Sequence, residues 1–139
     1  YPILTYPKSE VLFGYDLCKD TILNTGTVIL VESEKSVMKS IQIVLFNTLA
    51  VGGSNISKSQ IKLLEELKVK RVFISFDSDK EKEVLLTQIK EWFEKSNIKV
   101  YFTNNNTKYI SEKSCIFDMN WDKKKTLNYI KKYSTKVLN

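Results

Sequence analysis

Four short apolar runs rich in β-branched and aromatic residues divide the chain: Val28-Ile29-Leu30-Val31, Thr48-Leu49-Ala50-Val51, Arg71-Val72-Phe73-Ile74-Ser75-Phe76 and Ile98-Lys99-Val100-Tyr101-Phe102. The first has no apolar–polar alternation, the mark of a strand covered on both faces, as in a parallel sheet. The stretches between the runs have helical periodicity. Val37, Ile41, Val44 and Leu45 predict a helix over about 35–46. Ser57 with Gln60 three residues on fits a capping box, opening a helix that carries Ile61, Leu64 and Leu67. Leu85, Ile89, Trp92 and Phe93 predict a helix over about 82–95, stopped near Asn97. A helix over about 15–24, ended by Gly26, precedes the first strand. Strand–helix alternation of this kind predicts an α/β fold, Rossmann-like, with a mostly parallel central sheet of four or more strands flanked by helices. The 139 residues suit one compact domain. We expect a lead-in over 1–26, a core over 27–103 and a C-terminal extension of the same domain over 104–139. In that extension Asn104-Asn105-Asn106 reads as loop, Cys115-Ile116-Phe117 as a short fifth strand and 122–133 as a helix.

Composition narrows the chemistry. The chain has no His, which excludes His general bases, Ser-His-Asp triads and His-ligated zinc. Cys18 and Cys115 form no C-x-x-C pair and no disulfide framework, and are expected to be buried, reduced thiols of a cytoplasmic protein. No apolar run is long enough for a membrane-spanning helix, so no membrane partner is expected. Tyr1-Pro2-Ile3-Leu4 is not a signal peptide, and with no initiator Met the chain reads as a piece of a longer or processed protein. The net charge is +6, carried almost wholly by Lys, with Arg71 the single Arg. That balance suits either a polyanionic partner or a solvated surface. Catalysis would rest on carboxylates, Lys, hydroxyls or a hard metal ion.

The acidic residues supply such a site. Ligands of an open parallel sheet bind at the carboxyl ends of its strands. Glu32 directly follows the first strand, Gly52-Gly53 the second, and Asp77-Ser78-Asp79 the third. Residues two apart in extended chain face the same way, so Asp77 and Asp79 can serve one ion. Carboxylates that repel each other are reconciled by a hard divalent cation, Mg²⁺ or Mn²⁺. Glu32 either ligates that ion or acts as general acid or base beside it. Gly52-Gly53-Ser54 either admits the backbone to a ligand such as phosphate or is simply a turn that needs positive φ. Asp79 is also a good helix N-cap.

The segments Val28–Glu32, Leu49–Gly53 and Phe73–Asp79 together resemble the Toprim domain shared by bacterial-type DNA primases, topoisomerases and some nucleases. Leu12-Phe13-Gly14-Tyr15 and Asn55–Gln60 are similar to the primase branch, and the likeness spans about residues 11–102. It implies that Glu32 is the acid/base, that Asp77 and Asp79 bind metal, and that Gly53 is the glycine after the second strand. It implies nucleotidyl transfer, with RNA primers made on a single-stranded DNA template from nucleoside triphosphates. A replicative helicase is a further partner, reached through other parts of such a protein. Lys35, Lys58, Lys80 and Lys82 would lie near the site edge, where they could meet phosphates or simply be surface lysines. The sequence departs from the primase pattern at Ser33 and Lys82, where glycine is usual, and at Ser36, where Asp is common. The later acidic loop is not evident, and Asp118 and Asp122 are its nearest candidates. These departures keep open a Toprim-type nuclease or a degenerate domain with a docking role.

Overall fold

The computed structural model describes residues 10–76, 81–104 and 115–138. Helix α1 (Tyr15–Thr25) leads into strand β1 (Thr27–Val31), followed by α2 (Glu34–Gln42), β2 (Thr48–Ala50), α3 (Lys58–Glu66), β3 (Arg71–Ile74), α4 (Lys82–Phe93) and β4 (Lys99–Thr103). A 3-10 turn, Ile116–Met119, precedes α5 (Lys123–Tyr133) and β5 (Ser134–Leu138). The sheet runs β2-β1-β3-β4-β5. Its first four strands are parallel, and β5 pairs antiparallel with β4. The α/β fold with a mostly parallel sheet is therefore the one its sequence predicts.

β1 shows why its sequence lacks alternation. Val28 and Leu30 enter a large core with Ile22 of α1, Leu64 of α3 and Ile89 and Phe93 of α4. Ile29 and Val31 enter a second core on the opposite face with Val37 of α2, Ile116, and Tyr129 and Ile130 of α5. Every β1 residue from Val28 to Val31 is thus buried. Phe93 is fully buried, so truncation to Ala would cost roughly 3–5 kcal/mol. From β1 the chain steps outward to β2, then crosses back past β1 to β3 and on to β4. The direction of winding reverses between β1 and β3, and a crevice at such a reversal is where open α/β sheets bind ligands.

Three expectations need correction. Cys115-Ile116-Phe117 is not a strand: Asp118 accepts from the Cys115 N–H at 2.8 Å, and this capping contact winds the segment into the 3-10 turn. The fifth strand is instead β5, at residues where no strand was expected. Helix α2 ends at Gln42, not Phe46, because Val44 adopts φ 60. There the Val44 N–H donates to the Ile41 carbonyl at 2.9 Å and the Leu45 N–H to the Ser40 carbonyl at 3.0 Å, the paired bonds of a Schellman stop. The capping box at Ser57 and Gln60 is present as predicted.

Candidate metal centre at the carboxyl ends of the strands

β1 and β3 are hydrogen-bonded neighbours, with Leu30 opposite Ile74. The ladder continues past the strand, since the Ser75 N–H donates to the Leu30 carbonyl at 2.9 Å. Counting two residues on from the Leu30–Ile74 pair brings Glu32 level with Phe76, the residue before Asp77. On the other side of β1, the Val51 N–H donates to the Val31 carbonyl at 3.0 Å and the Gly52 N–H to the Glu32 carbonyl at 2.9 Å. Glu32 therefore stands between the end of β3 and the Gly52-Gly53 turn. Its carboxylate oxygen Oε1 is shielded from solvent.

The two glycines of that turn differ. Gly52 adopts φ 81, the left-handed region that L residues avoid. Gly53 is exposed, and a Cβ built there would meet nothing within 4 Å. The turn therefore demands glycine at Gly52, while Gly53 leaves open space beside the backbone.

Ser33 and Ser36, two of the departures from the primase pattern, act together. The Ser33 hydroxyl caps α2 by accepting from the Ser36 N–H at 3.4 Å, and the two hydroxyls lie 3.2 Å apart. This cap places Lys35, which is exposed, in the first turn of α2. Lys82 is the exposed first residue of α4. Asp77, Asp79 and Lys80 lie outside the described residues. No three carboxylate or thiol groups gather as a metal cluster among the described residues.

Asp118 and Asp122, the candidates for a later acidic loop, both have hydrogen-bonding partners. Asp118 Oδ1 takes a 2.7 Å salt bridge from Lys39 of α2, while Oδ2 holds the Cys115 N–H. Burial pushes the Asp118 carboxyl up, but the Lys39 hydrogen bond, the Cys115 N–H and the charges of Lys39 and Lys35 outweigh it, and its pKa lies below the usual value. Asp122 caps α5 by accepting from the Lys125 N–H at 2.8 Å. The sequence signal for the Lys39–Asp118 bridge was absent, because the two residues are joined only by the tertiary fold.

Gln60 is a second residue whose part the sequence only half disclosed. Its Oε1 completes the capping box with the Ser57 N–H at 3.0 Å. Its Nε2 donates to the carbonyls of Val51 at 2.8 Å and Val11 at 2.9 Å. One buried side chain thus ties α3 to the turn beside Glu32 and to the lead-in. Both cysteines are free and buried as expected, and burial raises the Cys18 thiol above its ordinary value despite its hydrogen bond to the Thr48 carbonyl.

The Toprim domain family model matches residues 27–105. The chain belongs to the Toprim domain family. A DNA primase of Chlamydia pneumoniae is 34% identical over 74 residues, which cover 53% of this chain and 12% of that protein. The chain thus spans only a small part of the curated relatives it matches. The zinc-binding and RNA polymerase domains of Aquifex aeolicus primase superpose with a TM-score of 0.74 at 23% identity, over 94% of this chain and 31% of that one. The RNA polymerase domain of Mycobacterium tuberculosis primase DnaG, in complex with double-stranded DNA, superposes with a TM-score of 0.72 at 18% identity, over 99% of this chain and 43% of that one. At these identities the structural likeness is one of fold. The chain is a DNA primase-like Toprim domain, and none of its described helices is long and apolar enough to cross a membrane.

Proposed function

We propose that this Toprim domain is the catalytic part of a primase-like nucleotidyltransferase, with Glu32, Asp77 and Asp79 as its metal site. The observation that carries the reading is the parallel pairing of β1 with β3 at the point where the sheet's winding reverses, with Glu32 level with Phe76 just past the end of β3. The donor set fits Mg²⁺ or Mn²⁺: all its groups are carboxylates, and hard divalent ions prefer oxygen ligands. Asp77 and Asp79 would hold a divalent ion, which when bound would offset the charge that develops on a triphosphate during nucleotidyl transfer. Glu32 completes the site or handles the proton of the attacking 3′-hydroxyl. The open space at Gly53 gives phosphate access to the backbone, and Lys35 and Lys82 supply mobile cationic contacts. The template is single-stranded DNA, the substrates are nucleoside triphosphates, and the product is an RNA primer. Residues 27–103 form the catalytic core, and a helicase would engage other parts of the full-length protein.

Calorimetric titration with Mn²⁺ tests the site, and primer synthesis on single-stranded DNA tests the reaction. Asp77→Ala and Asp79→Ala should each weaken Mn²⁺ binding by about tenfold or more, in the range that loss of a metal-site group typically produces. Glu32→Gln should abolish synthesis. Mn²⁺ binding unchanged in both Asp variants would overturn the site. Metal-dependent cleavage of nucleic acid without triphosphates would instead favour the nuclease reading.

A further inference from the structure

The basic charge of this chain is concentrated in one place. Residues 121–138 contain six Lys and one Asp, a net +5, against +6 for the whole chain. Helix α5 alone carries Lys123, Lys124, Lys125, Lys131 and Lys132 and no acidic residue. Three of these lysines occupy its first turn, where the helix macrodipole disfavours cations. Among the described residues, none of the six forms an ion pair with a carboxylate. Lys131 and Lys132 lie in the last turn, where the macrodipole favours cations, but fold stability gives no such reason for the first-turn lysines, and an external polyanion does.

The surroundings indicate which polyanion. The inner face of α5, with Thr126, Tyr129 and Ile130, is buried. Lys124 and Lys131 share an outer face two turns apart, about 10.5 Å along the axis. On the adjacent flank Lys125 lies 4.9 Å from the Trp121 ring and Lys132 5.4 Å from the Tyr133 ring. Beside Lys131 opens a groove of about 350 Å³, lined by Thr27, Phe73, Tyr101 and Leu127 among others. Phe73 and Tyr101 are half-buried, and their rings stack at 4.8 Å with 13° between planes. Half-buried aromatic rings among lysines form the usual platform for single-stranded nucleic acid, with rings for bases and cations for phosphates. A membrane-surface helix would instead present a broad apolar face outward. Here Leu127 is the one large apolar side chain that α5 exposes.

We infer that α5 and the adjoining groove are a second nucleic-acid contact surface, which holds a single strand through phosphates at Lys124 and Lys131 and a base against the Phe73–Tyr101 platform. The groove includes Thr27, the first residue of β1, about 16 Å along the strand from Glu32. The surface does not rest on the metal reading, and binding there needs no divalent ion.

The test uses a fluorescently labelled oligothymidylate of about 16 nucleotides in EDTA, with anisotropy followed across a salt series. The double variant Lys124→Gln/Lys131→Gln changes only surface residues, and circular dichroism checks its fold. It should bind about tenfold more weakly at low salt. The slope of log K against log salt should fall by about 1.4, the loss of two phosphate contacts to a single strand. Asp77→Ala should bind the oligonucleotide like the parent chain. An unchanged slope in the lysine variant, or binding lost in Asp77→Ala, would overturn the inference. So would inorganic polyphosphate, anionic phospholipid vesicles or polyglutamate that binds as tightly as the oligonucleotide, since each lacks the bases that the groove requires.

Discussion

Gly52 and Gly53 stand side by side in the chain and have different tasks. Gly52 takes φ 81 while its N–H holds the Glu32 carbonyl, so a side chain there strains the backbone next to the proposed acid/base. Gly52→Ala should lower stability by about 1–2 kcal/mol, the usual cost of a left-handed L residue. Gly53→Ala should leave the melting temperature unchanged, since a Cβ there meets nothing within 4 Å. If Gly53→Ala nonetheless weakens triphosphate binding, the open space is where phosphate approaches the backbone. Thermal melts of both variants beside a nucleotide titration separate the two roles, and equal destabilisation by both would refute the division. The glycine pair was legible as a turn, but the dihedral of each member was not, because either could have supplied the positive φ. Ser33 and Ser36 looked like losses from a family pattern, and only the fold shows their hydroxyls capping α2.

Of the three discrepancies between sequence and structure, one is a helix end, and its cause is local. The start of α3 was readable because Ser57 and Gln60 carry their cap within four consecutive residues. The end of α2 was not, because the residue in the left-handed position of its Schellman stop is Val44, where glycine is the usual signal. α3 ends in the same way: Lys68 adopts φ 58, and the Val69 N–H donates to the Leu64 carbonyl at 3.2 Å. A β-branched residue at φ 60 is strained, and Val44 is 60% exposed, so little packing compensates. Val44→Gly relieves that strain but adds freedom to the unfolded chain. The net effect should be a gain of about 0.5–1 kcal/mol in urea unfolding, with no change in the slope against denaturant. A loss of stability would show that Val44 contributes contacts its exposure conceals.

For the molecule as a whole, the parallel part of the sheet could be read from four apolar runs, but its far edge could not. β5 is Ser134-Thr135-Lys136-Val137-Leu138, a short segment whose two apolar residues come last. Nothing local distinguishes it from a frayed tail after α5, and its pairing with β4 is a purely tertiary fact. Yet β5 covers one side of β4, whose central residues Val100 and Phe102 belong to the larger core, and Val137 and Leu138 pack against that core. Removing the residues after Tyr133 should therefore do two things. It should lower stability by roughly 2–4 kcal/mol, since about 1.5–3 kcal/mol attends burial of each large aliphatic side chain and these two are only partly buried. It should also leave the ladder groups of β4 on that side unpaired, and an uncovered strand edge recruits other chains. Light scattering should then show concentration-dependent association in the shortened chain and a monomer–oligomer ratio that shifts with dilution. Tyr101→Lys in the shortened chain, on the newly bare strand, should suppress that association without restoring the lost stability, since a charge on an edge blocks pairing but buries nothing. A shortened chain with an unchanged melting temperature and no association would mean that β4 is the true edge of the sheet in solution and that β5 contributes nothing to it.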